Sequence, residues 1–242
     1  MNIFLTGATS GIGRVLAAGL AERGCTMHLH GRDKQRLADV AKLAVARGAR
    51  VECYLADLAS PAEIASMCET AAQKTDRLDI LINNAFGRLE KPLGETEPDE
   101  IGPFFQVSVV AAAQVMRGLL ELLKHGSNPK IVNIVADWGF PMHNIMTGPS
   151  IYIAAKYAMH GLGVALQREI APLGIRTTNI FPGIVAADVP FEMSDAEFLQ
   201  ARGVSAIHPR TLVEAIRFVA NAQHAHVRSI VLSPANPEYN GV

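Results

Sequence analysis

Apolar and polar positions along the chain change period repeatedly. Short runs rich in β-branched and aromatic residues, at 2–6, 26–30, 50–56, 78–83, 130–135, 176–181 and 229–232, predict strands. Between them lie stretches of helical period near 12–23, 33–47, from 60 onward, 103–125, 150–171 and 209–221. Strands separated in this way by helices predict a parallel sheet, and near-continuous apolar runs such as Ile131-Val132-Asn133-Ile134-Val135 predict one covered on both faces. The first helix carries Ile12, Leu16 and Leu20 at i, i+4 and i+8, with Gly24 as its stop. At Ser60-Pro61-Ala62-Glu63 the Ser caps a helix, the Pro takes its first position, and Glu63 closes a capping box. Nothing in composition or repetition divides the chain, so the expected fold is a single α/β doubly wound (Rossmann) domain over 1–242. It has a seven-stranded parallel sheet with helices on both faces. Two long non-periodic stretches, 136–149 and 183–208, begin where a strand has just ended and are the candidate walls of a ligand crevice.

Composition narrows the function. The 242 residues are 49% hydrophobic, enough for one well-filled core. With 22 Lys plus Arg against 23 Asp plus Glu and no block of like charge, the basic stripe that nucleic acid requires is missing. Apolar runs such as 131–136 fall far short of the roughly 20 residues of a membrane helix. Met1-Asn2-Ile3-Phe4-Leu5 leads straight into a Gly-rich turn, leaving no room for a signal peptide, and the expectation is a cytoplasmic protein. Cys25, Cys53 and Cys68 are odd in number, widely spaced and set in apolar stretches, and read as buried, reduced thiols.

The first strand runs into Gly7-Ala8-Thr9-Ser10-Gly11-Ile12-Gly13, and a helix starts at once. Glycines at 7, 11 and 13 let the backbone approach a pyrophosphate while the helix offers unpaired N–H groups. Eighteen residues beyond Gly13, where an NAD site wants an acid for the ribose hydroxyls, stand Gly31 and Arg32. A guanidinium clamps a 2′-phosphate that a carboxylate would repel, so the pair points to NADP(H); the competing reading makes Arg32 a solvated charge at a helix start. Arg14 either contributes or is simply exposed.

Tyr152-Ile153-Ala154-Ala155-Lys156 puts a phenol and an ammonium on one helix face. A nearby cation favours the phenolate and would bring the Tyr pKa down from about 10, as proton transfer to a developing alkoxide requires. In this order the chain resembles the short-chain dehydrogenase/reductase family over nearly its whole length. The resemblance is carried by Thr6-Gly7-Ala8-Thr9-Ser10-Gly11-Ile12-Gly13, Asp57-Leu58, Asn83-Asn84-Ala85, Ile131-Val132-Asn133-Ile134, Tyr152 with Lys156, and Pro182-Gly183-Ile184-Val185. It implies that Asp57 meets the adenine and that Leu58, Asn83 and Ala85 belong to the cofactor site. Lys156 would hold the nicotinamide ribose and lower the Tyr152 pKa, and Pro182 through Val185 would border the nicotinamide. It also implies a homodimer or homotetramer built on the helices at 103–125 and 150–171.

The chain departs from that family at four places. Its catalytic Ser position is Ala136, which has no hydrogen bond to give a carbonyl oxygen. Asp137 follows; pteridine reductases, a branch of the family, resemble this chain in placing Asp for Ser, though one residue earlier. Asp137 either reaches the missing Ser's place or caps a neighbouring backbone N–H. As an acid with a raised pKa it would donate a proton or bind a cationic imine; ionised, it would repel a carbonyl oxygen. Ser108 stands where an Asn usually supports a relay water, Phe86 stands for a Gly, and Ala187 for a Thr. Trp138, Phe140, Met142, His143, Asn144 and Met146 suit a semi-polar substrate, and Phe191, Met193 and Phe198 form either a lid or ordinary packing. The reading is an NADPH-dependent oxidoreductase passing a hydride to a carbonyl or C=N group. Tyr152 is its proton donor, with Lys156, Asp137 and Ser108 beside it. The alternative is a catalytically impaired NADP(H)-binding sensor or partner subunit.

Overall fold

In the computed structural model, which describes residues 1–141 and 148–236, strands and helices alternate as their periodicity requires. The order is β1 Asn2–Leu5, α1 Gly11–Leu20, β2 Thr26–Gly31, α2 Lys34–Ala46, β3 Arg50–Leu55, α3 Pro61–Lys74 and β4 Ile80–Asn83. Then come α4 Pro98–Phe105, α5 Ala111–Gly118, α6 Leu120–Lys124, β5 Lys130–Ile134, α7 Ser150–Ile170, β6 Arg176–Pro182, α8 Asp195–Arg202, α9 Pro209–Asn221 and β7 Ser229–Leu232. All seven strands are parallel, ordered β3-β2-β1-β4-β5-β6-β7. The order reverses between β1 and β4, so a crevice opens beyond their carboxyl ends.

Two cores fill the faces of the sheet. One packs Ile3, Leu5, Leu29 and Ile180 under α1, α2 and α9; the other packs Phe4, Leu81 and Ile131 under α3, α5 and α7. Each β1 residue feeds the opposite core from its neighbour, which is why a strand of period 2 must be apolar throughout here. No helix among the described residues is long and apolar enough to cross a membrane.

Several elements differ from their sequence pattern. The helix expected at 103–125 begins at Pro98, where the Glu97 backbone N–H donates to Glu100 Oε2 at 3.0 Å, and is broken into three. Pro103, expected at a helix start, lies inside α4 and withholds a backbone donor. Just after it the backbone widens into a π turn, Gln106–Val110, in which the Ala111 N–H donates to the Gln106 carbonyl. The first helix ends at Leu20, before Gly24. Glu63 does not close a box on Ser60: it accepts from the Asp57 N–H at 2.8 Å, while Ser60 Oγ accepts from the Glu63 N–H at 3.3 Å. Cys25 and Cys68 are buried, but Cys53 is exposed on the edge strand β3.

Candidate active site

The turn after β1 is shaped by two glycines. Gly7 has φ +67°, and a Cβ on Gly13 would stand 1.9 Å from the Gly7 carbonyl oxygen, so α1 starts closer to the turn than any side chain permits. Asn84, just past β4, holds the turn by donating from Nδ2 to the carbonyls of Thr6 and Gly7, at 3.0 and 3.1 Å. Thr6 Oγ1 in return accepts the N–H groups of Asn84 and Ala85. From the other side His30, at the end of β2, accepts the Gly7 N–H on Nδ1 at 3.2 Å. Its Nε2 therefore carries the proton that the Ala56 carbonyl accepts at 3.1 Å. Burial pushes the His30 pKa down, which keeps this neutral tautomer in place. Neither Asn84 nor His30 was assigned a role from sequence. An imidazole at the end of an apolar strand, just before Gly31-Arg32, was the available signal.

These elements wall a cleft of about 730 Å³. Gly7, Thr9, Ser10, Ile12, Gly13, Arg32, Asp57, Leu58, Ala85, Tyr152 and Lys156 line it together. Arg32 is exposed and makes no ion pair among the described residues. Gly11 and Val185 instead border a neighbouring groove with Arg14, and Pro182 and Gly183 line neither. Asn83 is turned away from the cleft: its Nδ2 donates to Asn133 Oδ1, and Asn133 in turn donates to Asn179, both at 2.9 Å. The parallel register of β4, β5 and β6 sets these three amides side by side.

Tyr152 and Lys156 sit one turn apart on α7, as i, i+4 spacing requires, but their electrostatics differ from expectation. Burial pushes the Tyr152 hydroxyl up to about 12, and the charges of Glu90 and Asp137 add to the shift. Lys156 does not draw it down. Its ammonium stands 3.5 Å from the centre of the Phe86 ring and 5.4 Å from that of Tyr152, and burial alone brings it down to about 7. Phe86, the residue in the family's Gly position, thus holds the cation that was expected to serve the phenol. Phe104 and Trp138 also pack against Tyr152, at 6.4 and 5.9 Å between ring centres.

The unfolded chain keeps Lys156 near 10.5, so between about pH 7 and 10 it binds more protons than the folded chain and stability rises with pH. Lys156→Met is therefore expected to exceed the parent in stability at pH 7 by an amount on the order of a few kcal/mol, shrinking toward pH 10. Urea unfolding of both proteins at pH 7 and 9.5 checks this; a gap independent of pH contradicts it.

Ala136, at the missing Ser, has φ 101° and ψ 153°, a region that L residues rarely enter. Asp137 is buried in the turn Asp137–Gly139 and does not line the cleft; its Oδ1 accepts the Trp138 N–H at 2.8 Å. Ser108 is fully buried in the π turn, where its Oγ accepts the Gly87 N–H at 3.0 Å, holding the loop after β4 instead of facing the cleft. Two of the three lid candidates turn inward. Phe191 packs against α1 beneath the Arg47 guanidinium, and Phe198 is buried against His208. Met142, His143, Asn144 and Met146 lie outside the described residues.

The short chain dehydrogenase family model matches residues 1–197. The chain belongs to the short chain dehydrogenase family. The chain is 30% identical, over 95% of both chains, to an uncharacterized oxidoreductase of Staphylococcus saprophyticus. Its fold matches an alcohol dehydrogenase from the archaeon Thermococcus sibiricus complexed with 5-hydroxy-NADP, with TM-score 0.81, 21% identity and coverage of 98% and 99%. It likewise matches the RhlG/NADP complex of Pseudomonas aeruginosa, with TM-score 0.82, 22% identity and coverage of 96% and 94%. At these identities the likeness to solved structures concerns the fold. As a short chain dehydrogenase, the chain is an oxidoreductase.

Proposed function

We propose that this oxidoreductase is an NADPH-dependent reductase of small molecules that carry a carbonyl or C=N group. The observation that carries the reading is that one cleft is lined both by the Gly-rich turn with Arg32 and by Tyr152 with Lys156. The cofactor supplies a hydride. Around it the N–H groups opening α1 receive the pyrophosphate, Arg32 the 2′-phosphate, Asp57 and Leu58 the adenine, and Lys156 the ribose. NADP or its analogue in the two matched solved structures supports this choice of cofactor. Tyr152 gives a proton to the oxygen or nitrogen being reduced. Burial keeps its hydroxyl protonated across the neutral range, the state a donor needs. Asp137 acts through its charge on Tyr152.

Consumption of NADPH by the purified protein against ketones and cyclic imines tests the activity. Arg32→Ala is expected to raise the KM for NADPH about 10- to 100-fold, the loss of a charge-assisted pair, and to leave NADH unaffected. An equal effect on both cofactors argues against the 2′-phosphate role. A second reading, an impaired NADP(H)-binding sensor or partner subunit, is favoured by Ala136 and by the seating of Lys156 on Phe86; tight NADPH binding without turnover of any compound would establish it. The protein works in the cytoplasm and as a homodimer or homotetramer in this proposal. Val110 on the π turn and Val164 on α7, 42% and 52% exposed, offer an apolar face for such assembly.

A further inference from the structure

The lining of the reaction site beside Lys156 is aromatic, and the Lys156 ammonium is seated on a ring. Phe86 meets Tyr152 edge to face at 5.3 Å and Phe104 at 5.6 Å, so the three rings form a corner beside Lys156. All four residues line the cleft. A Lys nitrogen 3.5 Å from a ring centre is well within cation–π range, so the Phe86 face has the geometry to seat a positive charge. Carboxylate charge reaches that corner: Glu90 and Asp137 act on Tyr152, and Glu100 lines the cleft. Glu90 pairs with Arg88 at 3.8 Å and Glu100 with Lys91 at 2.7 Å, and Arg88 also lines the cleft. Against these stands the lack of a hydroxyl at Ala136, where a ketone oxygen gaining negative charge would look for a second donor.

Resting on the reductase reading, we propose that the site selects a cationic C=N substrate, a protonated or N-alkylated imine on an apolar or aromatic skeleton, and that Phe86 is the residue that specifies it. The balance suits the residues present. A hydride from the reduced nicotinamide forms a C–H bond at the iminium carbon. The π pair of the C=N bond moves onto nitrogen, which becomes a neutral amine, and the nicotinamide is oxidised. No oxyanion develops, so no donor at position 136 is needed. Only an imine arriving unprotonated draws on the Tyr152 proton. In this proposal Lys156, turned to the cofactor ribose, leaves the Phe86 face to the substrate, and because burial lowers its proton affinity it is increasingly a neutral amine above pH 7 that does not repel the cation.

The test pairs N-methyl-3,4-dihydroisoquinolinium, a permanent cation, with 1-tetralone, a neutral ketone of similar outline, at pH 8 with NADPH. Iminium ions are intrinsically more electrophilic, so the deciding quantity is the change in the ratio of their kcat/KM values between wild type and Phe86→Leu. The ratio is expected to fall about 3- to 30-fold in Phe86→Leu and to be kept in Phe86→Tyr, which retains a ring face. A binding readout accompanies it: N,N-dimethyl-tetrahydroisoquinolinium, which cannot be reduced, should change the fluorescence of the single tryptophan, Trp138, saturably. Its affinity should weaken by a similar factor in Phe86→Leu. Reduction of tetralone but not of the iminium, or a ratio unmoved by Phe86→Leu, overturns the selectivity and leaves the reductase reading standing. If neither these nor the wider panel of ketones and imines consumes NADPH, both fall.

Discussion

Tyr152→Phe is expected to lower kcat for carbonyl reduction by about 10³-fold or more and to change NADPH affinity by less than about threefold. The factor is that of a positioned general acid, 10² to 10⁴. It should lie in the upper half of that range, because the neighbouring Ser position is Ala136 and supplies no second hydroxyl. The pH profile carries the sign. Burial holds the Tyr152 hydroxyl up near 12, so the donating form is fully present at pH 7 and is lost only as pH rises through that value. Reduction should therefore not decline between pH 7 and 10 through ionisation of Tyr152. Oxidation of the same product needs the phenolate and should climb tenfold per pH unit wherever that ionisation limits it. A variant that keeps more than a tenth of wild-type kcat removes Tyr152 from the proton transfer. A reductive rate that falls off near pH 7 would instead mean that bound cofactor and Lys156 lower the phenol strongly, as the family resemblance implies.

That difference marks what the sequence makes legible. Local patterns specify the sheet because a strand sandwiched between two cores must be apolar on both faces, as Phe4 and Leu5 are on opposite sides of β1. They specify the Gly-rich turn because steric requirements attach to single residues. α8 goes unread because Phe198 is its one buried side chain and provides no period; its signal was the capping box of Ser194 and Glu197, whose side chains hold each other's backbone N–H groups at 3.3 and 2.9 Å. The start of α4 goes unread because two prolines compete for one helix start, and the choice depends on Glu100 folding back to Glu97.

Within the site, the spacing of Tyr152 and Lys156 places both on one face but says nothing about the environment of either. Their proton affinities are set by burial and by Phe86, seventy residues upstream of Lys156, and no periodicity links such positions. Asn83 shows the converse. Its place in a motif assigned it to the cofactor, whereas the register of β4 and β5 commits its amide to Asn133, so two adjacent asparagines divide the work and Asn84 alone faces the turn.

The tightest constraint in the cleft is at Gly13, and Gly13→Ala is expected to cost more than about 3 kcal/mol and at least 100-fold in NADPH affinity. The added Cβ would lie 1.9 Å from the Gly7 oxygen, 2.8 Å from the Gly7 carbon and 2.7 Å from Asn84 Nδ2. None of these is the free end of a flexible side chain. Gly7 cannot retreat, because a Cβ-sized space behind it is already taken by Ala85, and Asn84 cannot, because it is bonded to the Thr6 and Gly7 carbonyls. Overpacking in a responsive core costs about 1–3 kcal/mol; a site with no room to relax lies at or above that limit. The relief available is a shift of α1 away from the turn, which would misdirect the N–H groups that receive phosphate and thereby join the loss of stability to the loss of binding. Gly102→Ala is the control. It lies in α4 with nothing within 4 Å of the added methyl and should gain up to about 1 kcal/mol from helix propensity. Urea unfolding with NADPH titration separates the two. A Gly13→Ala protein as stable as wild type and still binding NADPH would show that the turn gives way without cost, and the packing of β1, α1 and Asn84 described above would then not govern the cofactor end of the cleft.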